Sequence, residues 1–426
     1  MRIMVLGAGG FIGRAIVAEL IGHGHQVVAV QRPGRSADAL PPGAEALALD
    51  LARATSPADW REAVRGVDMV VNAAGILRGA QMEAVHVAMP VALHQAASEA
   101  GVRRVVLISA ISARPDVPTD YAQSKLRGEA ALRQCGLGWT ILRPSLVYGE
   151  GSYGGTSLLR GLAALPWRVP LPGEGQFAFS PIHVRDLARA VREVCEDERH
   201  AGQVLDPCGP ETLSLSDLLG RYRRWLGFGE ARFVAVPMSV MRLLGRIGDR
   251  LGDGPVSTNS LVQLVAGNAG DGEGFARTIG FAPRSLGAAL RESPAQVQDR
   301  WHARLFFLAP AIRWTLAMLW LVSALLGLGW GADQARAVVA GLGLPQAMAD
   351  PLRWGGSALD LVIAALVLAD RRGRIATGLQ LLSVAGYSLV IGLAIPALWL
   401  DPLGPLLKNL PILVLILVHG AIAERR

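Results

Sequence analysis

Residues 2–24 read RIMVLGAGGFIGRAIVAELIGHG. The apolar run Ile3–Leu6 has strand character, and AIVAELIG beyond it has helix character. Between them lies Gly7-Ala8-Gly9-Gly10-Phe11-Ile12-Gly13. Glycines at 7, 10 and 13 allow a tight turn, close approach of the backbone to a ligand and close packing of helix on strand. The N-terminus of the helix adds free N–H donors and a positive dipole end, which suit a pyrophosphate. Three glycines alone are a weak signal in a chain with 50 of them, but their place between the first strand and the first helix makes them informative.

Outward from this unit the alternation continues. Strand-like runs occur at 3–6, 25–30, 69–75, 104–109 and 139–144, separated by helix-like stretches at 12–23, 57–65, 82–100 and 121–135. This order predicts an α/β doubly wound parallel sheet with helices on both faces. Residues 210–300 read differently, with an amphipathic stretch at 214–226, Gly and Pro breaks, and MSVMRLLGRIGDRL at 238–251, a partner helix or substrate cap. The expected division is 1–230 for the nucleotide-binding domain, 231–304 for a small cap and linker, and 305–426 for a membrane domain.

The membrane domain follows from composition. The chain has 426 residues, 51% hydrophobic and 18% charged, which excludes a disordered polypeptide. Stretches 306–330, 352–369, 375–400 and 403–423 are each long enough to cross a hydrocarbon core of about 30 Å, so four spanning helices are expected. Arg300, Arg304 and Arg313 flank the first, Arg371, Arg372 and Arg374 fill the second link, and Arg425 and Arg426 follow the last. The other loops hold only Arg336, so both termini are expected on the cytoplasmic side of an inner membrane. The start shows no signal peptide. The net charge of +7 therefore reads as membrane orientation, and nucleic acid is not expected. Three cysteines form no disulfide framework, and the histidines show no metal spacing, so no metal site is expected. Of 42 basic residues only Lys125 and Lys408 are lysine, a skew that fits a high-GC genome.

Strand VVAV runs into Gln31-Arg32, where an NAD-binding chain would usually carry an acid. A guanidinium suits a 2′-phosphate, so NADP(H) is favoured over NAD(H). Asp50 reads equally as an acceptor for the adenine amino group and as a cap. After RVVLIS come Ser109 and Ser112, then Tyr121-Ala-Gln-Ser-Lys125. Residues i and i+4 share a helix face, so the ammonium is expected close to the phenol, favouring its ionised form for proton transfer.

GAGGFIG, NAAG (72–75), YAQSK (121–125), LRPSLVYG (142–149) and SPIHVRDLARAV (180–191), in this order, resemble the extended and atypical short-chain dehydrogenase/reductase superfamily, a Rossmann-type fold. The run VRRVVLISAISARPDVPTDYAQSKLRGEAAL is most similar to the group around the nucleotide-binding accessory subunit of respiratory complex I. The C-terminal segment resembles the DoxX-like membrane domain. The resemblance implies that Gly7, Gly10, Phe11, Ile12 and Gly13 form the pyrophosphate loop. It puts Arg32 and Asp50 at the adenosine, Ala73, Ala74 and Gly75 beside the cofactor, and Pro144 at the nicotinamide. It makes Tyr121 the acid/base and Lys125 its modulator and ribose contact. Where the family usually has a serine two residues beyond the strand-end serine, this chain has Ile111, which leaves Ser109 or Ser112 to orient a carbonyl.

Asp360, near the middle of the second span, marks a polar site for a quinone head group, a lipophilic substrate or a proton, or a hydrogen-bonded structural carboxyl. Tyr387 and Lys408 are its candidate partners. The leading expectation is a membrane-anchored NAD(P)H-dependent oxidoreductase acting on a carbonyl or alcohol of a lipophilic substrate. Beside it stand a non-catalytic NADP(H)-binding sensor or assembly factor of a membrane redox complex and, less favoured, a nucleotide-sugar epimerase or dehydratase.

Overall fold

The computed structural model describes residues 1–36, 39–151, 154–251, 257–370, 372–402 and 404–423. Arg371, Arg425 and Arg426, used above to orient the helices, lie outside the described residues. The chain divides into two compact units, Met1–Ala303 and Arg304–Arg426.

In the first unit, strands β1 (Arg2–Leu6), β2 (Gln26–Gln31), β3 (Glu45–Ala48), β4 (Met69–Asn72), β5 (Arg104–Ile108), β6 (Gly138–Leu142) and β7 (Gln203–Leu205) form a parallel sheet. Its order is β7-β6-β5-β4-β1-β2-β3. β4 and β5 are buried along their whole length, which is why they read as continuous apolar runs rather than alternating ones. On one face α1 (Phe11–Gly22) packs with a helix at Val184–Glu196 through Ile16, Leu20, Leu187 and Val191. On the other, Trp60 packs with α2 (Met89–Glu99) and α3 (Asp120–Arg133) through Met89, Leu93 and Leu132. The doubly wound sheet expected from the sequence is thus present. β7 was not anticipated: three residues are too few to carry a periodic signal.

The strand order reverses between β1 and β4. Ligands of such sheets bind in the crevice beyond the carboxyl ends of the strands at this switch point. A third core gathers Tyr148, Leu159, Val169, Phe179, Leu218, Tyr222, Leu286 and Ala303, so this layer draws on residues well before 231 as well as after it. Within it, Val169–Pro172 pairs in parallel with Phe233–Val236, which leads into α4 (Met238–Leu251).

Among the described residues three helical stretches are long and apolar enough to cross a membrane, Val297–Trp330 (α5), whose part from Arg304 onward belongs to the second unit, Gln346–Ala369, whose α-helical part is Ala349–Ala369 (α6), and Arg374–Ala394 (α7). The expected fourth span is shorter than the sequence suggested. Its helix α8 covers Asn409–Ile422, 14 residues, because Gly404 at φ 55 and Pro405 hold the preceding segment in turns. At 1.5 Å per residue that is about 21 Å against a core of about 30 Å. The helices meet around Leu316, Trp320, Ile363, Val367, Val384 and Ile416.

Candidate functional site

The glycine loop leaves β1 with Gly7 at φ 71, in the left-handed region. A Cβ on Gly7 would lie 2.9 Å from the Ala73 carbonyl oxygen, and one on Gly13 only 2.1 Å from that of Gly7. The Gly10 N–H donates to Gly7 O at 2.9 Å, and no side chain caps α1. The first N–H groups of the helix therefore face the crevice without a competing acceptor side chain. The Phe11 ring rests at the position a Cβ on Gly149 would approach to 3.2 Å, and Ile12 packs on the core beneath the loop. This cradle, shaped by atoms that any side chain would displace, fits a dinucleotide pyrophosphate.

At the end of β2, Arg32 is exposed while Gln31 is buried. The Gln31 amide donates toward the Arg35 and Ser36 carbonyls at 3.5 Å, and its Oε1 has no partner among the described residues. Asp50 accepts from the Ala52 N–H at 3.1 Å and lies 3.6 Å from Arg53, which makes it a turn-capping carboxylate. Of the two readings open for Asp50, the structure displays the cap.

The opposite side of the crevice is held by α3. Thr119 caps it by accepting the Ala122 N–H at 3.2 Å, which sets Tyr121 in the first turn. Lys125 is buried and donates to Ile108 O at 3.1 Å and Ala74 O at 3.4 Å, tying the ends of β5 and β4 together. A Cβ on Gly75 would come within 3.2 Å of the ammonium. Burial lowers the Lys125 pKa to about 8, with Glu129 opposing, and pushes the Tyr121 phenol up to about 12. Lys125 donates to these two carbonyls, and Tyr121 stays protonated at neutral pH because burial penalises the phenolate.

One residue that sequence reasoning missed sits beside this pair. His86 lies in a π-helical stretch, Ala84–Ala88, and its Nε2 accepts the Ile76 N–H at 3.2 Å. Its Nδ1 then carries the proton toward Ser124 Oγ at 2.8 Å, and Ser124 donates to Tyr121 O at 2.9 Å. Burial, Lys125 and Arg127 drive the imidazole down to about 3, so it stays neutral, with its ring edge-on to Tyr121 at 5.7 Å. Gly128 admits this geometry, since a Cβ there would lie 2.4 Å from His86 O. A π-bulge of this kind often marks a functional site, but a lone histidine in sequence announces none.

The serines separate. Ser109 Oγ donates to the fully buried Glu129 at 2.6 Å, and Glu129 is held by Arg143 at 2.6 and 2.8 Å and by Arg133 at 3.1 Å. Ser109 thus belongs to an ionic network and is removed from the role of carbonyl orienter. Ser112 is buried, and its hydroxyl makes no hydrogen bond to the described residues. Ile111 is buried against Gly270, and its N–H donates to Pro144 O at 3.0 Å, joining the loops after β5 and β6.

In the second unit Asp360 is 6% exposed, accepts from Ser323 at 2.7 Å, and leaves Oδ1 without a partner among the described residues. The Tyr387 hydroxyl would lie 3.6 Å from a Cβ on Gly356, one turn from Asp360. Lys408 sits at the N-cap of α8, and no ion pair joins it to Asp360 among the described residues, which corrects that expectation.

Residues 7–163 match the family described as NAD(P)H-binding, and residues 317–417 match the DoxX-like family. The chain joins an NAD(P)H-binding domain to a DoxX-like membrane domain. The resemblance stated from the sequence motifs is borne out in both halves. The chain is similar to the mitochondrial NADH-ubiquinone oxidoreductase 40 kDa subunit of Neurospora crassa, 26% identical over 42% of this chain and 48% of that one. It is similar to the chloroplastic divinyl chlorophyllide a 8-vinyl-reductase of Oryza sativa subsp. indica, 30% identical over 56% and 62%. It is similar to the ceramide reductase of Caulobacter vibrioides, 30% identical over 45% and 60%. The chain thus spans less than two thirds of these relatives, and only 17% of a Mycobacterium tuberculosis protein to which it is 31% identical. Among solved structures, the UDP-glucose 4-epimerase of Thermotoga maritima covers 68% of this chain with 96% of its own at a TM-score of 0.52 and 18% identity, which speaks for the fold.

Proposed function

We propose that the protein is a membrane-anchored NAD(P)H-dependent reductase of a carbonyl on a lipophilic substrate. The observation that carries this reading is Lys125, fixed between Ile108 O and Ala74 O at the switch-point crevice, with Tyr121 one turn away. A bound dihydronicotinamide would supply the hydride. Tyr121, protonated at neutral pH, donates its phenolic proton to the substrate oxygen. Lys125 stabilises the phenolate left behind, Ser112 holds the carbonyl oxygen, and neutral His86 keeps the first turn of α3 in place through Ser124.

The pyrophosphate is assigned to Gly7, Gly10, Phe11, Ile12 and Gly13, the cofactor wall to Ala73, Ala74 and Gly75, and the nicotinamide edge to Pro144. NADP(H) is preferred because Arg32 follows a neutral Gln31 at the ribose end, and Asp50 is committed to its own turn. Two relatives are named as reductases, one of ceramide and one of divinyl chlorophyllide a, which supports reduction of a lipid-soluble molecule. Asp360 is assigned to the head group of that molecule or of a quinone, and the arginine distribution to an inner membrane with the first unit cytoplasmic.

Tyr121→Phe, assayed by NADPH consumption against long-chain ketones in lipid nanodiscs, is expected to lower kcat on the order of 100-fold or more while nucleotide affinity is kept. Unchanged turnover would remove Tyr121 from this role. A second reading, a nucleotide-binding sensor or assembly factor without turnover, is favoured by one observation. Ser109 is committed to Glu129 and Ile111 stands where a serine is usual, so the carbonyl-orienting group is reduced to Ser112.

A further inference from the structure

The helix α4 is built inside out for a helix of a water-soluble domain. Its narrow face packs inward: Gly245 is buried, and a Cβ there would lie 3.1 Å from Thr258 N. Asp249 is occupied by Thr258, accepting from its N–H at 3.1 Å and its hydroxyl at 2.5 Å. The large apolar side chains point the other way. Val240, Leu243, Leu244 and Ile247 are 43%, 57%, 44% and 41% exposed, and their spacing i, i+3, i+4, i+7 makes them one continuous stripe. Arg242, Arg246 and Arg250, all exposed, run along its flank at i, i+4, i+8. The strand pair that leads to this helix starts from further exposed apolar and basic residues, Trp167 at 83% exposure and Arg168 ahead of Val169, and Arg232 ahead of Phe233. None of these five arginines takes part in an ion pair among the described residues.

A contiguous apolar stripe with a row of free guanidiniums beside it has the composition of a helix that lies in a membrane interface, apolar side chains below the head groups and cations among them. A soluble partner protein would need a complementary acidic rim, whereas a bilayer is already joined to this chain by its own spanning helices and so is present at high effective concentration. We propose that α4, with Trp167 and Phe233, is an interfacial membrane-binding surface that docks the nucleotide-binding unit on anionic lipid. This surface follows from burial and charge alone and does not depend on the catalytic reading.

The test uses the full chain in nanodiscs, in a Cys135→Ser background so that the remaining native cysteines, Cys195 and Cys208, are buried. An environment-sensitive dye is placed at Leu244→Cys and, as a reference, at Ala100→Cys, an exposed position on another element. In discs containing phosphatidylglycerol, iodide quenching at 244 is expected to fall about threefold or more below that at 100, with a blue-shifted emission. The protection is expected to weaken in neutral phosphatidylcholine discs, with added salt, and in the Arg242→Gln/Arg246→Gln/Arg250→Gln variant. These arginines are exposed, so the variant leaves the fold intact, which its NADPH affinity will report. Equal quenching at both positions overturns the proposal. So does protection that ignores lipid charge and requires two copies per disc, which would give the face to a second copy of this chain.

Discussion

Both units bury apolar side chains, but they differ in what they leave outside and in what polar groups they bury beside the core. Around the sheet, Ile3, Met4, Val5 and Leu6 are inside, and the charged residues buried with them are held by ion pairs, as Glu129 is, or by backbone carbonyls, as Lys125 is. Around the C-terminal helices Leu382 and Leu393 are both 72% exposed, while Ser357, Asp360, Gln380, Ser383 and His419 are buried. The same transfer free energy produces both patterns. Water drives apolar surface inward, but a bilayer is as apolar as a leucine and leaves packing and hydrogen bonds to hold helices together. The amphipathic helix α4 belongs to the first unit by its contacts and shares the outward leucines of the second, which is why it stands out.

This contrast can be broken experimentally. The largest effect is expected from Glu129→Ala, which leaves Arg143 and Arg133 without their buried counter-ion. Denaturation of the full chain should show a loss of about 3–5 kcal/mol in the first unit. A loss comparable to that of an exposed ion pair would mean that the network is not a structural centre. Next, Leu20→Ala, fully buried near the end of α1 against the sheet core, should destabilise by about 2–5 kcal/mol through a cavity. Leu382→Ala, facing outward, should change stability by under about 0.5 kcal/mol in bicelles, since surface changes without a lost contact are small. Equal losses would show that Leu382 packs against protein instead of lipid.

Acid gives a separate discrimination. His86 has its pKa lowered from 6.5 to about 3, so in that range the unfolded chain binds a proton that the folded chain refuses. Stability is therefore lost as the pH falls from 6.5 toward 3, and a His86→Gln variant should lack that part of the slope in urea titrations at stepped pH. A variant with the wild-type slope would show that the imidazole is free to protonate in place. Another small effect concerns the second unit. Gln380→Leu removes the bond that Trp320 Nε1 donates to Gln380 at 3.0 Å, expected to cost about 0.6 kcal/mol by steric-trapping unfolding in bicelles.

Much of the site was legible in the chain because its signals are local. The glycine loop depends on spacings of three residues next to a strand, and Tyr121 and Lys125 share a face through helix geometry alone. The apolar spans from 306 onward announce themselves by length. What stayed hidden needed partners far away in sequence. Ser109 looked available for a substrate, but its hydroxyl donates to Glu129, twenty residues on, and Arg143, just past the next strand, closes the network. His86 carried no motif, and its role comes from Ile76, Ser124 and the glycine at 128. The last span was overread because apolar composition continues through Pro405, where the backbone cannot.

Residue order therefore established the doubly wound sheet, the glycine turn after its first strand, a shared helix face for Tyr121 and Lys125, and a membrane-embedded C-terminal half, since each is written within a few residues by steric and periodic rules. Three further matters were decided by folding: where the ammonium of Lys125 points, which serine remains free, and which face of α4 looks outward. These turn on burial and on hydrogen-bond partners brought together across the sheet, and burial is a property of the packed chain rather than of any one segment.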